Sequence, residues 1–243
     1  LKTKIMIYQG IFPIKPTNKK FGLLIDPENH NNDQICEIIK EANSTGVDYI
    51  FLGGSLLTKP IEPSVDTIKN NTSLPLILFP GNLMQISNQA DGILLLSMIS
   101  GRNPDLLIGN HVLAAKRLKE SNLEIIPTGY ILIEGGKTSA VEYISNTKPI
   151  PSEQMEIIVS TAIAGELLGN KTIYLESGSG AFNSLHSKTI QEVKSHITIP
   201  LIVGGGLKEP SDIKRVGTQM AENFRSSAIW GIHIINICIL CIG

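Results

Sequence analysis

The chain is short of the features that would send it to a specialised class. It has three cysteines, Cys36, Cys238 and Cys241, too few for a disulfide framework, so a reducing compartment, the cytoplasm, is expected. Cys238 and Cys241 form a Cys-x-x-Cys, but two ligands do not close a zinc site, and their isoleucine-rich setting suits buried apolar cysteines. The formal net charge is -1, with no basic excess to attract nucleic acid and no acidic tail to attract a charged partner. No continuous apolar core precedes Pro13, against a signal peptide, and the apolar tail Ala228 to Gly243 falls short of the roughly 20 residues of a spanning helix. With 243 residues and no low-complexity segment, one domain over 1–243 with a sizeable core is the simplest expectation.

What is present is an alternation of short apolar runs with helical periodicity. Strands are expected at Phe21 to Ile25, Tyr49 to Leu52, Leu76 to Phe79, Gly92 to Ser97, Glu124 to Ile133, Thr172 to Leu175 and Leu201 to Val203. Helices are expected at Asp33 to Ala42, Pro63 to Asn70, Asn103 to Glu120, Ser152 to Leu168 with Ser152 as N-cap, and Lys188 to His196. Leu83 to Asp91 is short for a crossover helix, so a reduced third helix is expected, and Glu134 to Pro151 reads as a loop. Seven strands alternating with helices argue for parallel strands and, at this length, for a (β/α)8 TIM barrel; an open doubly wound sheet is the alternative.

Glycines and acids collect at the strand ends. Tyr174-Leu175-Glu176-Ser177-Gly178-Ser179-Gly180-Ala181 reads as strand, glycine turn, helix, in which Gly178 and Gly180 leave backbone N–H groups facing an anion such as a phosphate. Glu176, a carboxylate at the strand end, suits proton abstraction from a hydroxyl of the same phosphorylated molecule; a surface glutamate beside an ordinary loop fits this stretch equally well. Gly204-Gly205-Gly206 is a second glycine turn, after the seventh strand. Asp26 and Ser55, at the ends of strands one and two, form a hard oxygen pair suited to magnesium; their plainer alternatives are a turn carboxylate before Pro27 and a helix N-cap. Leu94 to Ile99 and Ile125 to Ile133 suit either an apolar groove or barrel packing, and Asn103 and Asn110 suit capping or support of a site.

These stretches, with Phe79-Pro80-Gly81-Asn82, the Ser97 to Asn110 segment SMISGRNPDLLIGN, Pro127 to Ile133, Ser145 to Pro151 and Val203 to Gly206, resemble the geranylgeranylglyceryl phosphate synthase family and its heptaprenyl-using bacterial relatives, over about residues 21–213. The resemblance implies a modified barrel with a reduced third helix. It implies a magnesium-dependent prenyl transfer from geranylgeranyl diphosphate, or a heptaprenyl or other polyprenyl diphosphate, to the sn-3 hydroxyl of sn-glycerol 1-phosphate, with release of diphosphate. Carried over by motif, Asp26 and Ser55 bind Mg2+, and Tyr174, Leu175, Glu176, Ser177, Gly178, Ser179, Gly180, Gly205 and Gly206 hold glycerol phosphate, with Glu176 accepting the proton. It further implies a homo-oligomer that works near a membrane surface for its prenyl substrate or product, in ether-lipid biosynthesis.

The end departs from the family pattern. An eighth strand ending in Gly-Asn is expected there, whereas 214–243 is divergent and closes with the apolar run Trp230 to Cys241, in which His233 is expected to be structural. That run suits an eighth strand, and its abrupt composition is what an altered reading frame would produce. A barrel that binds a phosphate ligand without turning it over, for want of that Gly-Asn, is the second function class; another phosphosugar-handling barrel is a third.

Overall fold

The structure, a computed structural model, describes residues 8–9, 20–206 and, as backbone, 236–241. β1 (Lys20–Ile25) and β2 (Tyr49–Leu52) are nearly unbroken apolar runs, as parallel strands covered on both faces require. Between them, α1 (Asn32–Ser44) starts on a capping box: Asn31 Oδ1 accepts the Gln34 N–H, and Gln34 Oε1 accepts the Asn31 N–H, both at 2.9 Å. Ile35, Ile38, Ile39 and Ala42 form its buried stripe, and each of the isoleucines contributes about 1.5–3 kcal/mol by burial. α2 (Glu62–Asn71) leads to β3 (Leu76–Leu78).

The next connection is the reduced one: a single 3-10 turn, Leu83–Gln85, stands where a crossover helix would lie before β4 (Gly92–Met98). The helical stretch after β4 opens as a wider π turn, Asp105–Gly109, and continues as α3 (Asn110–Glu120). Asn103 starts it by accepting the Asp105 N–H at 3.1 Å, and its amide donates to the Ser145 carbonyl at 3.1 Å, so it both caps and ties. β5 (Glu124–Leu132) follows.

The stretch expected as loop contains a short helix, α4 (Ala140–Ser145), capped by Ser139 and ended by Asn146 in a left-handed conformation. α5 (Met155–Leu167) begins three residues later than expected: Gln154, not Ser152, is its N-cap, because a turn closed by Gln154 N–H on the Pro151 carbonyl occupies Ser152 to Gln154. β6 (Thr172–Glu176), α6 (Ser187–His196) and β7 (Leu201–Gly204) complete the regular series.

β1 to β7 pair in sequence order, all parallel, and β8 (Asn236–Cys241) closes the barrel. The closing strand is antiparallel to both neighbours, Leu24 opposite Asn236 and Gly204 opposite Cys238, where a regular (β/α)8 barrel would have a parallel strand. A reversed strand satisfies the same edge hydrogen bonds without a crossover connection. It therefore enters at the end where β1 and β7 finish. His233 and the remainder of 207–235 lie outside the described residues, as do the side chains of Cys238 and Cys241.

Alternation sorts the core into two layers. Leu24, Phe51, Ile77, Leu94, Ile126, Tyr174 and Ile202 point into the barrel, while Leu23, Ile50, Leu76, Ile93, Ile131, Leu175 and Leu201 meet the helices. At the top of the inner layer, Tyr130 stacks on Tyr174 at 5.2 Å, and Phe79 tilts against both. These three rings form the floor of the site.

Candidate active site

Two cavities open at the C-terminal ends of the strands. The first, about 250 Å³, is the more polar of the two and includes Asp26, Glu28, Ser55, Tyr174, Glu176, Ser179 and Gly205 in its wall. Six positions picked out in the sequence thus meet in one space: Asp26, Ser55, Tyr174, Glu176, Ser179 and Gly205. The others do not all face it. Leu175 packs outward against the helices, and the buried Ser177 hydroxyl has no partner among the described residues.

Glu176, the last residue of β6, is buried above the aromatic floor. Its Oε1 accepts the Gly178 N–H at 2.6 Å, and the Tyr174 and Tyr130 hydroxyls donate to the same carboxyl. Burial outweighs these three donors and pushes its pKa up to about 7. A carboxyl with that pKa is part ionised near neutrality and can accept a proton. Tyr130 carried no signal in the sequence that would have set it apart from any other strand tyrosine.

The two glycine turns interlock around this carboxyl. A Cβ on Gly204 would stand 1.9 Å from the Tyr174 hydroxyl, and one on Gly205, at φ +80°, 2.1 Å from Glu176 Oε1 and 2.7 Å from the Gly178 nitrogen. No side chain fits at either position, so backbone lies directly against the acid. Gly178, Gly180 and Gly206 also have positive φ, giving two concave stretches of peptide at one rim. The expected helix does not follow at once: α6 begins at Ser187, seven residues beyond Gly180, so the backbone donors at this rim are those of the turn and not of the α6 N-terminus.

On the opposite wall, Asp26 Oδ1 accepts the Glu28 N–H and Oδ2 the Asn29 amide, each at 3.0 Å. This is a turn carboxylate, as its plainer alternative has it, yet each oxygen retains a lone pair for a ligand in the cavity. Burial raises its pKa, against the Glu28 N–H and the charges of His30 and Lys59. Ser55 caps no helix, since α2 begins at Glu62 with Ile61 as N-cap. Gln85, from the 3-10 turn, fixes the peptide beside it: Nε2 donates to the Gly54 carbonyl at 2.7 Å and Oε1 accepts the Gly54 N–H at 3.1 Å. A carboxylate and a hydroxyl on one wall, with space beside them, fit the one or two protein oxygens magnesium usually takes. Among the described residues there is no cluster of three or more His, Cys, Asp or Glu side chains suited to a metal.

The second cavity, about 140 Å³, is mainly apolar and shares Ser55, Phe79, Tyr130 and Val141 with the first. Leu83, Ile86, Ile93, Leu95, Ala114 and Leu118 line its depth, between β4 and α3. The short 3-10 connection that stands in for a third helix contributes Leu83 to this wall, with Ile86 just beyond it. Of the two runs weighed for a groove, Leu95, Leu96 and Met98 line it, whereas Tyr130 alone does so from Ile125 to Ile133. Asn110 lies in the same wall. His111 is there too, its Nε2 3.1 Å from the Ser97 hydroxyl, with burial lowering its pKa.

A barrel whose rim joins a buried, protonatable carboxyl and two glycine turns to an apolar channel defines an enzyme-like site for a molecule with a polar head and an apolar tail. The chain belongs to the PcrB family, whose model matches residues 15–224. It is 47% identical over 192 residues to the geranylgeranylglyceryl phosphate synthase of Chitinophaga pinensis, covering 79% of this chain and 76% of that one. It is also 47% identical over 211 residues to the synthase of the same name from Zunongwangia profunda, covering 86% and 90%. Among solved structures, wild-type GGGPS from Thermoplasma volcanium superposes with a TM-score of 0.81 at 33% identity, over 93% of this chain and 94% of that one. The (S)-3-O-geranylgeranylglyceryl phosphate synthase of Thermoplasma acidophilum, solved in complex with sn-glycerol-1-phosphate, superposes with a TM-score of 0.80 at 28% identity, over 88% and 92%. Among the described residues, no helix is long and apolar enough to cross a membrane.

Proposed function

We propose that this protein is a prenyltransferase that joins sn-glycerol 1-phosphate to geranylgeranyl diphosphate through an ether bond. The observation that carries this reading is Glu176, a buried carboxyl with a pKa of about 7 in a polar cavity that runs into an apolar one. The names of the relatives and the ligand of the Thermoplasma acidophilum structure support it.

Glycerol phosphate lies in the polar cavity with its phosphate toward the turns at Gly178 to Gly180 and Gly205 to Gly206, and its hydroxyl toward Glu176. The hydroxyl oxygen attacks C1 of the prenyl chain; the C1–O bond to diphosphate breaks, and its electron pair leaves with the diphosphate. Glu176 takes the hydroxyl proton. Because an alcohol is a far weaker acid than a carboxyl, the proton moves late, once the new C–O bond has made that oxygen acidic. The Tyr130 and Tyr174 hydroxyls keep the carboxyl aimed, and the negative carboxylate also favours the positive charge that develops on C1. The prenyl tail runs between β4 and α3. Asp26 and Ser55 would hold magnesium, whose charge stabilises the departing diphosphate. The protein acts in ether-lipid biosynthesis in the cytoplasm, as a homo-oligomer at or near the membrane surface that holds its lipid product.

The test is diphosphate release from purified protein given magnesium, geranylgeranyl diphosphate and sn-glycerol 1-phosphate. Release that requires all three, and collapses in Glu176→Gln, is expected. A folded protein that binds glycerol phosphate and releases nothing would instead be the binding barrel without turnover.

A further inference from the structure

The polar cavity is lined by three carboxylates, Asp26, Glu28 and Glu176, and by no lysine or arginine among the described residues. A site for two phosphorylated molecules cannot rest on such a wall alone. Magnesium would supply charge on the Asp26 side. On the far side the cradle is backbone, and among the described residues no helix N-terminus stands behind it, since α6 starts only at Ser187.

Among the described residues, one ammonium group lies at that rim. The segment after β5 is bonded to the β6 turn: the Ile133 N–H donates to the Glu176 carbonyl at 2.8 Å, and the Gly135 carbonyl accepts the Phe182 and Asn183 N–H groups at 2.9 and 3.1 Å. A Cβ on Gly178 would stand 2.6 Å from Ser139 Cβ, and one on Gly180 3.2 Å from Lys137 Nζ. The segment 137–139 therefore runs along the glycine turn itself. Lys137 Nζ also lies 5.4 Å from the centre of the Phe182 ring, a cation–π contact that gives this exposed aromatic a use. Lys137 has no salt bridge among the described residues.

We propose that Lys137 is a binding residue for the phosphate of the glycerol phosphate, held over the Gly178 to Gly180 turn by Phe182. It supplies the positive charge that the described wall of the cavity lacks. Its contact is with the phosphate alone, so it sets substrate affinity and leaves the chemical step to Glu176. This rests on the function proposed above.

Titration of sn-glycerol 1-phosphate into the full chain, by calorimetry, tests it. Lys137→Gln is expected to weaken binding about tenfold, with KM rising by a similar factor and kcat nearly unchanged. Lys137→Arg keeps most of the affinity, Phe182→Leu loses part of it, and inorganic phosphate used as competitor loses the same factor as the substrate. Equal affinity in wild type and Lys137→Gln, or an Arg variant as weak as the Gln variant with an unchanged circular dichroism spectrum, overturns the role of Lys137 while the proposed function stands. No binding of glycerol phosphate by the wild type overturns both.

Discussion

The polar and apolar cavities share a wall, but they arise in opposite ways. The polar one is made by what is present: an acid at the end of β6, glycines at 204 and 205 that let backbone reach it, and a carboxylate and a hydroxyl on the facing strands. The apolar one is made by what is missing, a third helix cut down to Leu83–Gln85, which leaves β4 and α3 facing each other across a gap. The polar features are written in residue types; the apolar space is written in the length of a connection.

The largest effect is expected where the polar cavity does its chemistry. Glu176→Gln keeps the shape and removes the proton acceptor, so kcat should fall by about 10²–10⁴. Steady-state diphosphate release measures this, and a loss under tenfold would reassign the base. Next comes the packing of the two turns. Gly205→Ala puts a methyl group where Glu176 Oε1 stands, at a φ of +80° that alanine rarely adopts. It should cost about 1–3 kcal/mol of stability and raise KM for glycerol phosphate more than tenfold, measured by thermal melting and kinetics.

The apolar cavity should respond differently. Ala114→Phe narrows the channel without touching the polar wall. It should lower kcat/KM for geranylgeranyl diphosphate relative to a shorter prenyl diphosphate by about tenfold, with KM for glycerol phosphate unchanged. Equal losses for both prenyl lengths would mean the tail lies elsewhere.

The last effect is on stability alone. The Glu176 pKa is raised on folding, so the folded state favours the protonated acid; its contribution is full below about pH 4.5 and is lost as pH rises through about 7. Glu176→Gln should therefore be more stable than wild type at pH 8, by about 1–3 kcal/mol, and nearly equal to it at pH 4. Melting curves at the two pH values would show this, and a destabilised variant at pH 8 would contradict the burial argument.

The same contrast explains what the sequence disclosed. Periodicity placed β1 to β7 to within a residue or so, because parallel strands buried on both faces leave unbroken apolar runs. The Glu176 turn and the Asp26 and Ser55 ends were visible as residue types at strand ends. Short connections gave the reduced third helix, but that Leu95 and Ala114 would line a channel depends on a gap no single residue announces. Tyr130 and Gln85 were invisible for a related reason: each acts through one hydroxyl or amide, placed by register and by a 3-10 turn. α4 was hidden in a polar stretch where Ser139 caps it. The reversed sense of β8 had no signature, since an apolar run pairs equally well in either direction.

The central claim is that Glu176 is the base at the junction of the two cavities. The direct measurement is kcat/KM for glycerol phosphate against pH, in wild type and in Glu176→Gln. The wild type should lose activity as pH falls through about 7, because the carboxylate is protonated, and the residual activity of the variant should lack that limb. A wild-type profile flat across that range, or the same limb in both proteins, would contradict the claim.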